Sequence, residues 1–323
     1  MSRIVRHDRS RDRYPSTKEL PLTVVFDVPP KGTPMPSVVI AAHNEEHVIG
    51  PSLDAVLDHQ LSERIEVVVS ANGCADRTVA AATRPGVTVI DRPEPGKAGA
   101  LNAGDAVATG FPRIYLDADI RVPSGGLAAL LGRFGETPAP LAVVPRRRLN
   151  TAGRPWPVRA YFSVNERLPA FRNGLFGRGM IALSEQGRAR FDAFPAMIAD
   201  DLFLDSLFSD AEKAEASSVE VVVEAPFTTR DLVRRLVRVR RGNAEMRAAA
   251  AAGRVAVQVR SAARWAWLRD VVLPNPRLVP AAVPYVAITV IAALLARRKA
   301  GDGWGRDEST RGGHPSATNG VSA

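Results

Sequence analysis

Two hydrophobic periods alternate along the first half of this chain. Compact β-branched runs at 37–42, 66–70, 87–90 and 113–119 read as strands of a sheet buried on both faces. Between them, apolar residues recur every three or four positions. The first such stretch begins near Glu45 and sets Ile49, Leu53, Val56 and Leu57 on one face; the others cover about 76–83 and 101–109. This strand–helix alternation predicts an α/β protein with a mixed, mostly parallel sheet and flanking helices, and such sheets bind ligands at the C-terminal ends of their strands.

The pattern also divides the chain. Residues 1–35, rich in arginine and then in proline and glycine, lack an apolar core and read as a basic flexible arm. Residues 36–150 and 151–245 form two halves of the globular body. Residues 246–300 carry a basic amphipathic stretch and an apolar one, and the Gly- and Ser-rich 301–323 reads as a disordered tail.

Charge changes this picture in one place. The chain of 323 residues carries a net +9, yet 230–299 alone holds 15 Lys and Arg against three acidic residues. A near-neutral body with a basic C-terminal third suits an anionic membrane surface. Trp265 and Trp267 beside arginines are interface chemistry, and no stacking platform or helix-turn-helix pattern points to nucleic acid. The single cysteine, Cys74, excludes an intramolecular disulfide.

Candidate chemistry gathers at the strand ends. The fourth strand closes on Asp117 and Asp119; two residues apart in an extended strand, they would share a face. Their oxygen-only character favours Mg2+ or Mn2+ over zinc. The alternative is a turn, with one Asp capping a helix and the other solvated. Three further turns fall where a ligand would lie: 42–46, 70–76, and 95–104, a glycine-rich loop in which Lys97 suits an anion at a helix start. Neither a Walker A nor a Rossmann glycine pattern is present.

Taken together, VVIAAHNEE (38–46), EVVVSANGCADRT (66–78), GKAGALNAG (96–104) and LDADI (116–120) resemble, in order and spacing, the family 2 glycosyltransferases, in the bacterial non-processive form. The resemblance runs from about residue 36 to 245. It implies a GT-A (nucleotide-diphospho-sugar transferase) fold and an inverting transfer of one sugar from a nucleotide-diphospho-sugar to a glycan, lipid or small-molecule acceptor. By the same resemblance, Asp117 and Asp119 hold the metal, and Ala41, His43, Asn44, Glu45, Asn72, Lys97, Asp117 and Arg238 contact the nucleotide-sugar. Gly177, Arg178 and Gly179 in the small-residue loop 174–180 contact the acceptor; Asp201 is the general base and Asp200 its neighbour. Out of context, carboxylates in a first helical turn are as readily caps. Asp205, one turn on, reads as solvated or ion-paired, and Arg146, Arg147 and Arg148 as a surface cluster.

Two departures matter. The second turn, which usually carries two aspartates, has Ala71 and Asn72, leaving the choice of nucleotide open. Val239 replaces the tryptophan of processive relatives, implying single transfer. Two other readings share some features: a sugar-phosphate nucleotidyltransferase, disfavoured by the acidic 43–46 turn, and a degenerate membrane-bound scaffold.

Residues 278–296 form an apolar run long enough to cross a bilayer, interrupted by Pro280 and Pro284. Because sugar nucleotides are cytosolic, a single crossing puts Arg297, Arg298 and Lys299 outside, against the positive-inside rule. An interfacial helix, with 260–272 on the surface, avoids that conflict. The expected place is the cytoplasmic face of the cell membrane, peripheral or single-pass.

Overall fold

The structure is a computed structural model that describes residues 23–24, 35–57, 65–197, 199–255 and 265–298. The tail expected at 301–323, most of the arm at 1–35, and 260–264 of the expected surface segment lie outside the described residues.

Among the described residues, eight strands build one sheet: β1 (Thr23–Val24), β2 (Ser37–Ala42), β3 (Glu66–Asn72), β4 (Val87–Arg92), β5 (Arg113–Asp117), β6 (Ala142–Asn150), β7 (Met180–Leu183) and β8 (Lys213–Glu224). Their order is β1-β4-β3-β2-β5-β7-β6-β8. The run β4-β3-β2-β5 is parallel, β6 pairs parallel with β8, and β7 runs antiparallel between β5 and β6. The expected mixed, mostly parallel sheet is therefore what forms. The two halves of the body share it. β1, within the expected flexible arm, pairs antiparallel with the edge of β4.

The helices are α1 (Ile49–Val56), α2 (Thr78–Ala82), α3 (Lys97–Val107), α4 (Gly126–Gly132), α5 (Trp156–Asn165), α6 (Pro169–Asn173), α7 (Glu185–Arg188), α8 (Asp200–Ser206), α9 (Thr229–Ala251) and α10 (Val279–Arg297). Strand side chains alternate between two apolar layers, as the pleat requires. Val38, Ile40, Val67, Val69 and Ile114 meet Leu53 and Leu130, while Val39, Val68 and Tyr115 meet Leu101, Leu202 and Phe203. A third cluster joins α5, α9 and α10 through Tyr161, Leu232, Tyr285 and Ile288. The boundary expected at 245/246 falls inside α9, which is one unbroken helix.

Three local expectations change. α1 starts four residues late, because Glu45 accepts at its carbonyl from the amides of Val48 and Ile49 and holds a turn ahead of the helix. α3 starts four residues early, at Lys97, so Gly99 and Gly104 are helical and the glycine-rich loop is short. β5 stops at Asp117, whose carbonyl accepts from Ile120 N–H at 3.1 Å. Asp117 and Asp119 thus lie on a turn, and the extended-strand argument for their shared face fails.

A buried charge cluster ties β5 to α3 and α7. Asp105, with its side chain 4% exposed, accepts from Arg113, from Arg188 Nε at 2.6 Å and from the Tyr115 hydroxyl at 2.9 Å. Removing the carboxylate would strand two guanidinium groups. Asp105→Ala is expected to lose about 3–5 kcal/mol of unfolding free energy; urea denaturation monitored by circular dichroism checks this.

Candidate functional site

The parallel strands reverse their winding at β2, which lies between β3 and β5, and such a reversal leaves a crevice at the strands' C-terminal ends. A cleft of about 1230 Å³ opens there. Of the residues singled out in the sequence, Ala41, His43, Glu45, Asn72, Lys97, Asp117, Asp119, Gly177, Arg178, Gly179, Asp200, Asp201 and Arg238 line it, and Asn44 does not.

The floor of the cleft is a lysine between two carboxylates. The Lys97 ammonium donates to Asp117 Oδ1 at 2.8 Å and lies 2.9 Å from Asp200 Oδ2. Asp117 ends β5 and Asp200 opens α8, so one side chain from the start of α3 joins a strand end to a helix start. Burial works against the charge on Lys97, but the two carboxylates outweigh it and hold its pKa above the ordinary lysine range.

Asp201 follows on α8. Its Oδ2 accepts from Gly177 N–H at 3.1 Å and its Oδ1 from Leu202 N–H at 2.8 Å. Burial first, and the neighbouring Asp200 charge second, push its pKa up to about 6 against the pull of Lys97 and these two amides. The capping alternative for this acidic pair is met in part. Ala199 holds the N-cap position without a side-chain cap and Asp201 Oδ1 takes the first-turn Leu202 amide, while Asp200 turns to Lys97 and Asp201 Oδ2 to the Gly177 loop.

That loop is fixed from beneath. Gly179 has φ +71°, and a Cβ there would come within 2.4 Å of the Ile120 side chain, so only glycine lets the loop pass the turn after β5. The Gly179 carbonyl accepts from Asp117 N–H at 2.8 Å. Asp205, one turn beyond Asp201, is buried rather than solvated: it accepts from Leu175 N–H at 3.0 Å and from Lys213 at 2.9 Å. It braces the loop, a role its i+4 spacing from Asp201 could have suggested.

Several assigned side chains are spent on scaffolding. Arg178, expected to face the acceptor, is buried; its guanidinium donates to the carbonyls of Pro145 at 3.0 Å and Phe171 at 2.9 Å and to Glu215. Its long stem carries the charge away from the loop that bears it. Asn72 is 1% exposed, donating to Ala42 O at 2.6 Å and accepting from Gly96 N–H at 2.8 Å. Its amide therefore laces β2, β3 and the start of α3 together. His43 donates from Nδ1 to the Asn72 carbonyl. Asn44 adopts φ +53° and accepts from Ala75 N–H at 2.8 Å, clasping the two turns from outside the cleft.

The roof comes from α9, where Arg235, Arg238, Val239 and Gly242 line the cleft. Val239, at the tryptophan position, is 42% exposed. Within the arginine trio of β6, Arg146 and Arg148 are surface residues, the latter paired with Glu220 at 2.6 Å. Arg147 departs from that expectation: its guanidinium lies over the Phe171 ring, 4.8 Å from the centroid, and close to Gly177. Burial holds its pKa below the ordinary arginine range despite Glu166. Strand alternation separates Arg147 from its neighbours, and that signal was available in the sequence.

Among the described residues no three His, Cys, Asp or Glu side chains form a ready-made metal cage. A Mg2+-type site needs only one or two carboxylates, with phosphate oxygens and water completing the shell. In this structure Asp117 Oδ1 already accepts from the Lys97 ammonium, so an ion at this strand end would share that carboxylate with Lys97.

Residues 37–190 match the family model for Glycosyl transferase family 2. No curated protein matches the sequence. Among solved structures, the mannosyltransferase PcManGT from Pyrobaculum calidifontis, in complex with GDP-Man and Mn2+, is 22% identical, with a TM-score of 0.54 over 84% of this chain and 81% of that one. TarS 1–349 from S. aureus with UDP is 15% identical, at a TM-score of 0.46 over 59% and 61% of the two chains. Glucosyl-3-phosphoglycerate synthase from Mycobacterium tuberculosis, with Mn2+, UDP and glucosyl-3-phosphoglycerate, is 20% identical, at 0.44 over 59% and 70%.

If Arg178 is a strut, truncating it leaves two buried carbonyls and Glu215 without their donor. Arg178→Ala is expected to lose about 1–3 kcal/mol of stability; a lowered thermal midpoint, with nucleotide binding kept, checks the role.

Proposed function

The chain is a family 2 glycosyltransferase, its family match running over residues 37–190, and from that premise we propose that its cleft moves one sugar from a nucleotide-diphospho-sugar to an acceptor hydroxyl, with inversion. The observation that carries this reading is the Lys97 bridge, which brings the Asp117 strand end and the Asp200–Asp201 helix start to one place. Glycans, lipids and small molecules are the acceptor classes in this reading.

In this reading the donor lies along the ends of β2, β3 and β5, with its diphosphate toward Lys97 and the arginines of α9. Asp117 and Asp119 would hold Mg2+ or Mn2+, the latter being the ion in the complex of the Pyrobaculum mannosyltransferase. Such an ion, when bound, offsets negative charge on the diphosphate leaving group. Lys97 and Arg238 supply further positive charge on that side.

Asp201 takes the proton of the acceptor hydroxyl as that oxygen attacks C1 from the face opposite the diphosphate. Each Asp201 oxygen accepts one amide hydrogen and keeps a lone pair for that proton. The Gly177 amide also fixes the carboxylate against the acceptor loop. A base with a pKa near 6 is ionised at neutral pH yet still basic enough to take a proton. Cytosolic sugar nucleotides would set the enzyme on the cytoplasmic face of the cell membrane, with one helix long and apolar enough to reach into it.

Asp201→Asn is expected to lower transfer about 10²–10⁴-fold with nucleotide-sugar affinity retained, measured by nucleoside diphosphate release with acceptor present and by calorimetry. Retained transfer would move the base elsewhere. Since Asp201 works only when deprotonated, transfer should rise with pH through about 6 and level off above it. Asp200→Asn removes the like charge and should shift that limb to lower pH. Asp119→Ala should weaken nucleotide-sugar binding in the presence of Mn2+ and leave metal-free binding unchanged; equal calorimetric affinities with Mn2+ would count against a metal role for Asp119.

A further inference from the structure

We infer that α10 seats the protein in the plane of an anionic membrane leaflet, its outward stripe in the lipid, rather than crossing the bilayer. This deepens the membrane placement proposed above and does not depend on the catalytic assignments.

The helix is two-sided. Inward, Pro284, Tyr285, Ile288 and Ala292 are buried, and the Tyr285 ring stacks on Tyr161 of α5 with centroids 5.1 Å apart. At the C-terminal end, Arg241 of α9 donates from Nη2 to the carbonyl of Leu295 at 3.3 Å, which also accepts the Arg298 N–H, and to the carbonyl of Arg298 at 3.2 Å. α10 is thus held to the catalytic body at its middle and at its end.

That attachment excludes a crossing. α9, alongside, carries seven arginines and lines the cleft. A spanning α10 would drag this helix into hydrocarbon, where each arginine is costly. The alternative is to strip α10 from Tyr161 and Arg241, exposing the third apolar cluster.

Outward, Val279, Val283, Val290, Ile291 and Leu294 are 55%, 70%, 48%, 47% and 55% exposed. Their spacing puts them on one face over about 24 Å of helix. No charged residue interrupts the stripe between Arg277 and Arg297. Leu273 and Trp265, just before it, are also exposed, at 64% and 68%.

The flanking charges identify the occupant. Arg277 precedes the stripe, and Arg297 and Arg298 close it, all exposed. Two copies packed stripe to stripe would set arginines against arginines in either orientation: Arg277 against Arg297 and Arg298 if antiparallel, like against like if parallel. Anionic headgroups complement the same residues, while acyl chains take the stripe.

The test uses the full chain and vesicles of phosphatidylcholine alone or with phosphatidylglycerol. The protein should float with the phosphatidylglycerol vesicles, and Arg297→Glu/Arg298→Glu should lower the bound fraction about tenfold or more. Val283→Glu/Leu294→Glu should abolish flotation without shifting the thermal midpoint, because both side chains already face outward. For topology, Cys74→Ser/Ser309→Cys is bound from outside and treated with an impermeant maleimide. Labelling of Ser309→Cys is the expected result, whereas protection until detergent is added means a crossing and overturns the inference. Absence of flotation by the parent protein overturns it too, as does a dimer by analytical ultracentrifugation that Val283→Glu dissolves. Nucleotide-sugar binding by the flotation-deficient variant separates failure of this inference from failure of the transferase reading.

Discussion

An ammonium group between two carboxylates holds the functional half of this molecule together. Asp117 and Asp200 lie at the ends of different elements and belong to different halves of the chain, and their charges would otherwise repel across the mouth of the sheet. Lys97 removes that repulsion at 2.8 and 2.9 Å. The cleft is therefore electrostatically closed before any ligand arrives. In the proposed reading, a cation or diphosphate would meet a site whose charges are already arranged and would compete with an internal partner rather than with water alone.

Around this contact the fold supplies rigidity rather than chemistry. Asn72 laces two strands to the start of α3, Asp205 braces the loop that carries Gly177, and Arg178 clamps that loop to β6. Each is a buried polar group with its partners inside the protein, the condition under which such groups can be kept. Few side chains are then left to face the ligand, and they rest on elements with little freedom to shift.

Much of the architecture could be read from hydrophobic period alone. The parallel strands were visible because β-branched runs buried on both faces leave a dense signal, and 37–42 matched the observed strand end to end. Helix starts were less legible, since a carbonyl such as that of Glu45 can hold a turn that periodicity does not register. The site was legible as a set of residue types at strand ends. What each side chain touches was not, because reach depends on the path of a long stem: Arg178 leaves its loop for the interior, whereas Arg147 leaves its exposed neighbours for the Phe171 ring beside Gly177. The turn at Asp117 stood as one of two readings for a related reason, as an extended run and a strand that bends at its last residue share one sequence pattern.

The length of α9 links two regions otherwise considered apart. Its 23 residues form an unbroken rod that presents Arg235 and Arg238 to the cleft and Arg241 to the end of α10. A rod has no hinge to absorb a displacement at one point. The tilt of the apolar helix and the height of the cleft's roof therefore vary together, as two readings of a single lever.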